Sequence, residues 1–191
     1  AENLAFRRGG WQKGIGVGLA GTTLGVLGLG RVGGAVAKVG AAFGMKVITW
    51  SPNMTPERAA EGGATAVSKQ ELLRRSDVLT IHMVLSPKTR GLLGAEDLAL
   101  MKPTSLLVNT SRGPLVDEAA LVAALTSRRI GMAAIDVFDV EPLPADHPLR
   151  SLENVLGTPH IGYVADDLYR TFYADTVKAV DAWLAARARA S

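Results

Sequence analysis

Cysteine is absent from the 191 residues, which excludes a disulfide framework and any thiolate chemistry and fits a reducing, cytoplasmic setting. No run approaches the roughly 18 consecutive apolar residues that a spanning helix needs, so no membrane partner is expected. The first residues lack the charged, apolar and small-residue regions of a secretory signal. Charge of one sign is not concentrated either. The 21 Lys and Arg are interleaved with 18 Asp and Glu, so the net charge of +3 reads as a solvated surface and no nucleic-acid partner is expected. No metal site is expected, and there is no internal repeat or low-complexity tract. What is present is 48% hydrophobic content, ample for one domain with a buried core, with 20% charge to keep its surface wet.

Short apolar runs alternate with amphipathic stretches, the sequence form of βαβ units and a parallel sheet. Strands are expected at Thr23–Leu27, Lys46–Trp50, Val78–His82, Ser105–Asn109, Met132–Val137 and Val155–Gly157. Between them a helix over about 31–43 carries Val32, Val36, Val39 and Phe43 at helical spacing, and a short helix falls at 56–61. Ser68 and Glu71 make a capping box for the next helix, Ala95–Met101 is brief and stopped by Pro103, and Asp117 caps a helix that runs to about Ser127. From about Val164 to Ala188 the spacing is helical again. The fold class is therefore α/β, a doubly wound parallel sheet.

Gly28-Leu29-Gly30-Arg31-Val32-Gly33 follows the first strand and opens a helix. A lone G-x-G-x-x-G is a weak signal, but this placement makes it a dinucleotide-binding turn of the Rossmann type. The first glycine permits the tight turn, the second lets the backbone approach a pyrophosphate, and the third lets the helix pack on the strand. The helix N-terminus then offers unpaired N–H groups to the phosphates, beginning at Arg31 and Val32. The carboxylate that would hold a ribose 2′-OH at the end of the second strand is missing; Ser51 stands there, with Asn53 and Arg58 close by. NAD or NADP is therefore the expected cofactor. Ser51 reads either as part of a 2′-phosphate site or as the end of a strand.

Three later segments place reactive residues just beyond strand ends, where open α/β sheets bind ligands: Val108–Glu118, Ile135–Pro144 and Thr158–Tyr163. Together with the glycine turn, in this order, they resemble the signatures of the D-isomer-specific 2-hydroxyacid dehydrogenases over about Gly21–Tyr163. The resemblance implies hydride transfer between a nicotinamide and a 2-keto or D-2-hydroxy acid. It implies His160 as acid/base, Glu141 as its carboxylate partner and Arg112 as the clamp for the substrate. The chemistry agrees. Histidine changes charge near neutrality, and a neighbouring carboxylate favours its protonated form. Arginine's fork matches a carboxylate and stabilises developing negative charge on oxygen. By the same resemblance Asp136 holds the nicotinamide carboxamide, and His82, Met83, Thr110 and Gly162 line the cofactor. The family continues after Met83 with a proline where Val84 stands here.

The expected organisation is a connecting helix and linker at 1–20, a dinucleotide-binding domain at 21–163, and a helix at 164–191 returning toward a substrate domain that lies outside this sequence. The chain alone is expected to bind cofactor but to turn over poorly. The resemblance also implies a homodimer. Corepressor-like proteins that sense dinucleotides without catalysis share these residues and stay open as an alternative. Formate dehydrogenases, which pair glutamine with the histidine, are disfavoured by Glu141.

Overall fold

The computed structural model describes residues 2–189; Ala1, at the head of the expected connector, and residues 190–191, at the end of the expected terminal helix, lie outside the described residues. In chain order the elements are α1 (Glu2–Arg7), β1 (Thr23–Leu27), α2 (Arg31–Ala42), β2 (Lys46–Trp50), α3 (Pro56–Glu61), β3 (Thr65–Ala66) and α4 (Lys69–Arg75). There follow β4 (Val78–Ile81), α5 (Ala95–Leu98), β5 (Leu106–Asn109), α6 (Glu118–Thr126), β6 (Met132–Ile135), β7 (Val155–Gly157) and α7 (Asp166–Ala188). The strands form one parallel sheet in the order β3-β2-β1-β4-β5-β6-β7. This is the expected doubly wound arrangement. The two-residue strand β3 was not expected, because it is too short to carry a period.

The order places a crevice. From β1 the chain moves outward to β2 and β3, then returns to β4 on the other side of β1, so the connections diverge at the carboxyl ends of β1 and β4. The register aligns the strand ends in a single row, with Leu27 opposite Trp50 and Ile81, Ile81 opposite Asn109, Asn109 opposite Ile135, and Ile135 opposite Gly157. The next residue of each strand, in sheet order Ser51, Gly28, His82, Thr110, Asp136 and Thr158, therefore leaves the sheet at one level.

Local chemistry explains where the elements begin and end. Ser68 Oγ accepts from the Glu71 amide while the Glu71 carboxylate accepts from the Ser68 amide, the reciprocal cap that starts α4. Asp117 caps α6 by accepting from the Ala120 amide. The larger core packs Leu27, Leu72, Leu79, Ile81, Leu107 and Leu125 together, all fully buried. On the other face of the sheet Leu24 and Val26 meet α2.

The segment expected as a helix over about 31–43 is α2, but its apolar residues do not all face the core. Val32, Val39 and Phe43 are exposed, and the buried face is the small-residue stripe Gly33, Ala37 and Gly40. The reason is close approach: a Cβ on Gly40 would collide with Leu24 Cδ2, and one on Gly33 would collide with the Gly28 carbonyl oxygen. The helix thus lies nearer to β1 than larger side chains at these positions would permit; Val36 still packs against the core, while Val32, Val39 and Phe43 turn outward.

Candidate active site

Gly28 carries φ +96, a conformation that disfavours any residue with a Cβ. A Cβ there would also sit 2.8 Å from the His82 carbonyl oxygen and 2.9 Å from Met83 Sδ. The turn after β1 and the segment after β4 are therefore in direct contact. Gly33 lies buried beneath the turn, whereas the position a Cβ would take on Gly30 is open space. Gly30 is thus the point at which backbone faces the open groove, as a bound pyrophosphate requires.

The groove has two hollows that share His82, Met83 and Val84. One, of about 360 Å³, is walled by Gly28–Gly30, by Ser51–Met54 and by Arg58. The other, of about 470 Å³, is walled by Val32, by His82–Leu85 and by Thr110–Arg112. A groove in two compartments that meet along His82–Val84 and are flanked by the start of α2 fits the two halves of a dinucleotide. Val32, 58% exposed, is the apolar side chain that α2 contributes to the second compartment. Arg31 does not line either hollow; it faces an adjoining one with Lys38 and Arg58. His82 Nε2 lies 3.0 Å from Thr80 Oγ1, and burial pushes its imidazole below the ordinary histidine value.

Beyond β6 and β7 the remaining candidates meet. His160 Nδ1 lies 2.6 Å from Glu141 Oε2, with both side chains 36% exposed. The other Glu141 oxygen accepts from the Phe138 amide at 2.9 Å. Burial raises the Glu141 carboxyl, but the His160 and Phe138 hydrogen bonds and the charges of His160 and Arg112 outweigh it and hold the group below the usual carboxylate value. The Tyr163 ring meets the imidazole edge-on at 5.6 Å.

His160 has φ +54, a left-handed conformation that costs a non-glycine residue free energy and that must be held by its surroundings. Asp136 does the holding. Its Oδ1 accepts from Thr158 Oγ1 at 2.6 Å and from the Ile161 amide at 2.9 Å, and its Oδ2 accepts from the Gly162 amide at 2.9 Å. These bonds straddle His160 on both sides. Three of the about four acceptor positions of a carboxylate are thereby used within the chain. Burial raises Asp136, and the Thr158, Ile161 and Gly162 hydrogen bonds with the His160 charge bring it below its usual value.

Arg112 begins a 3-10 turn, Gly113–Leu115, that packs straight onto the Glu141 segment: a Cβ on Gly113 would collide with the Phe138 carbonyl and sit 2.6 Å from the Asp139 amide nitrogen. Two residues that sequence reasoning passed over tie this region down. Glu118 accepts from the Asp139 amide at 3.2 Å through Oε2 and contacts His147 Nε2 at 3.2 Å through Oε1, clamping the loop on either side of Glu141. His147 also accepts from the Leu149 amide through Nδ1, so it is a loop fastener and not part of the crevice. Ser111, which donates to the Met83 carbonyl at 2.7 Å, joins the Arg112 segment to the groove. A strand-end serine was the only sequence signal for it. Among the described residues no group of three or more His, Asp or Glu is arranged to hold a metal ion, and no helix is long and apolar enough to cross a membrane.

Residues 2–162 match the model of the D-isomer specific 2-hydroxyacid dehydrogenase, NAD binding domain. The chain is 50% identical over 146 residues to the glyoxylate reductase of Aeropyrum pernix, covering 76% of this chain and 44% of that protein. It is 43% identical over 182 residues to the D-3-phosphoglycerate dehydrogenase of Methanocaldococcus jannaschii, covering 92% of this chain and 34% of that protein. A crystal structure described as a D-3-phosphoglycerate dehydrogenase oxidoreductase from Ralstonia solanacearum superposes with a TM-score of 0.92 at 40% identity, covering 97% of this chain and 58% of that one. The chain thus spans between 29% and 61% of the length of such relatives, less than two thirds of each. It belongs to the D-isomer specific 2-hydroxyacid dehydrogenase family, as the family's NAD binding domain.

Proposed function

We propose that this chain supplies the cofactor groove and the acid/base pair of an oxidoreductase that interconverts a 2-keto acid and a D-2-hydroxy acid. The observation that carries the reading is the His160–Glu141 contact of 2.6 Å, made at the carboxyl end of the sheet that also bears the groove. A bound nicotinamide supplies or accepts the hydride. The chain's own residues do the rest. Glu141 engages Nδ1 of His160, which leaves Nε2 as the ring nitrogen for moving a proton to or from the substrate oxygen. Glu141 also stabilises the imidazolium while the ring holds that proton. Arg112, bordering the second hollow, offers its fork to the substrate carboxylate and its charge to the carbonyl oxygen. Gly28, Gly30, Arg31 and Val32 receive the diphosphate, Gly33 lets α2 approach, and Ser51 meets the adenosine ribose. His82, Met83, Thr110, Asp136 and Gly162 border the nicotinamide side.

Residues 1–20 and 164–191 form, in this reading, the connection and the return to a substrate-binding part, and 21–163 the cofactor domain. The whole protein works as a homodimer in the cytoplasm, where a cysteine-free chain gives up no disulfide. The exposed apolar side chains of α7, among them Tyr169, Phe172 and Trp183, support burial against another surface. Sedimentation of the full-length protein tests the dimer, and neither a membrane nor a nucleic acid is needed for it.

The test is a titration of the 191-residue chain with NADH and with NADPH followed by fluorescence, beside turnover of 2-keto acids by the full-length protein. Cofactor binding retained and turnover lost in His160→Ala supports the assignment. Full turnover in that variant refutes it, and binding of neither NADH nor NADPH by the chain refutes the groove.

A further inference from the structure

The first hollow of the groove contains no carboxylate. Its wall beyond β2 is Ser51, Pro52, Asn53 and Met54, and Arg58 enters it from α3. This is unexpected for a site that selects NAD, where an acidic side chain at the end of the second strand accepts the ribose hydroxyls and repels a 2′-phosphate. Here the residue that leaves the sheet beside Gly28 is Ser51, as the pairing of Leu27 with Trp50 requires.

Arg58 is held in place. One terminal nitrogen donates to the Asn53 carbonyl oxygen at 2.7 Å, which fixes the guanidinium against the lip of the hollow. Only one of its five N–H donors is needed for that bond. The same side chain borders the adjoining hollow, where Arg31 and Lys38 stand with Glu61 as the one acidic neighbour. Glu57, next to Arg58 in sequence, does not line the first hollow; hydrogen bonds from its own amide and from Thr55 hold its carboxyl below the usual value despite the small opposing effect of burial. Positive charge therefore outweighs negative charge where the adenosine ribose would lie.

We propose that Ser51, Asn53 and Arg58 form a binding site for a ribose 2′-phosphate, so that the chain selects NADPH over NADH. The proposal rests on the reading of the groove as a dinucleotide site and adds the chemical class of cofactor. A guanidinium pairs with a phosphate dianion through charge-assisted hydrogen bonds, while a bare ribose offers it only neutral hydroxyls. Ser51 adds a neutral hydroxyl donor and Asn53 an amide donor, neither of which repels an anion.

The experiment titrates the 191-residue chain with NADPH and NADH, and with 2′,5′-ADP and 5′-AMP, which carry the adenosine half alone. NADPH is expected to bind about tenfold more tightly or better, with 2′,5′-ADP favoured over 5′-AMP to a similar degree. The preference should shrink as salt is raised, because an exposed phosphate–guanidinium pair is screened. Arg58→Ala should remove the preference and leave NADH affinity within about twofold, and Ser51→Asp, which restores the repelling carboxylate, should invert it. Equal or tighter binding of NADH by the unmodified chain overturns the proposal while leaving the dinucleotide groove intact. Failure of both dinucleotides to bind removes the groove reading and this proposal with it.

Discussion

Gly33→Ala sets two effects of opposite sign against each other, and the structure decides between them. Alanine is the better helix former, by up to about 1 kcal/mol in a helix interior. Against this, the new Cβ would collide with the Gly28 carbonyl oxygen and lie 3.1 Å from its carbon and 3.2 Å from Val26 Cγ1. Carbon atoms in contact prefer about 3.5–4.0 Å, so α2 must retreat by at least about 0.4 Å, and further to clear the oxygen. None of the obstructing backbone can rotate away. Overpacking costs about 1–3 kcal/mol, and a Cβ driven into backbone falls in the upper part of that range, so after the propensity gain a net destabilisation of about 1–2 kcal/mol is expected. The retreat also moves the amides of residues 31–33 from the groove, so NADPH and NADH affinity should fall at least about tenfold. Gly34→Ala is the internal control. Nothing lies within 4 Å of a Cβ built there, so its stability should stay the same or rise, by at most about 1 kcal/mol. Urea unfolding and fluorescence titration of both variants are the measurements. A Gly33→Ala chain as stable as the unmodified one, with cofactor affinity within twofold, would refute the close-approach argument.

Three further outcomes follow from the same geometry. Asp136→Ala removes the acceptor from Thr158, Ile161 and Gly162 and should cost about 1–3 kcal/mol in urea unfolding at neutral pH, toward the low end because these bonds are only partly buried. Because the folded carboxyl lies below its unfolded value, this contribution is complete above about pH 4 and is lost as pH falls further; a deficit that disappears near neutrality would contradict it. Burial holds His82 below its ordinary value, so the unfolded chain takes up its proton first as pH drops through about 6.5, and folded stability declines below that point. His82→Gln should flatten the decline between about pH 7 and pH 5, read as the shift in urea midpoint, and an unchanged slope counts against the burial argument. Gly113→Ala places a Cβ against the Phe138 carbonyl and should cost about 1–3 kcal/mol, detected by thermal or urea unfolding, while NADH affinity stays within a few-fold because Phe138 borders neither groove hollow.

The sheet and the row of residues at its edge were legible in the sequence because both are local. The strands are short apolar runs, and Ser51, Gly28, His82, Thr110 and Asp136 each follow one directly, so naming the strand ends came close to naming the site. The strand limits were drawn slightly long: β4 ends at Ile81 and β6 at Ile135, because His82 and Asp136 already serve the crevice. The face of α2 was not legible. Of the spaced apolar residues only Val36 packs against the core, and the packing distance to β1 is fixed by Gly33 and Gly40. Glu118 and His147 were missed for a different reason. They lie 29 positions apart and act only through a loop whose path no spacing rule predicts.

The left-handed backbone of His160 links these observations. A strained residue persists only where more bonds hold it than it can break, and here Asp136 grips the chain before and after it while Glu141 grips the ring. The anchors come from different strands: Asp136 follows β6, Glu141 sits in the β6–β7 connection, and Thr158 follows β7. Glu118 and Gly113 in turn bind that connection to the segment bearing Arg112. The imidazole is therefore oriented by the rigid sheet edge and not by a flexible loop. This is why the chain can hold the His160–Glu141 pair in register with the groove.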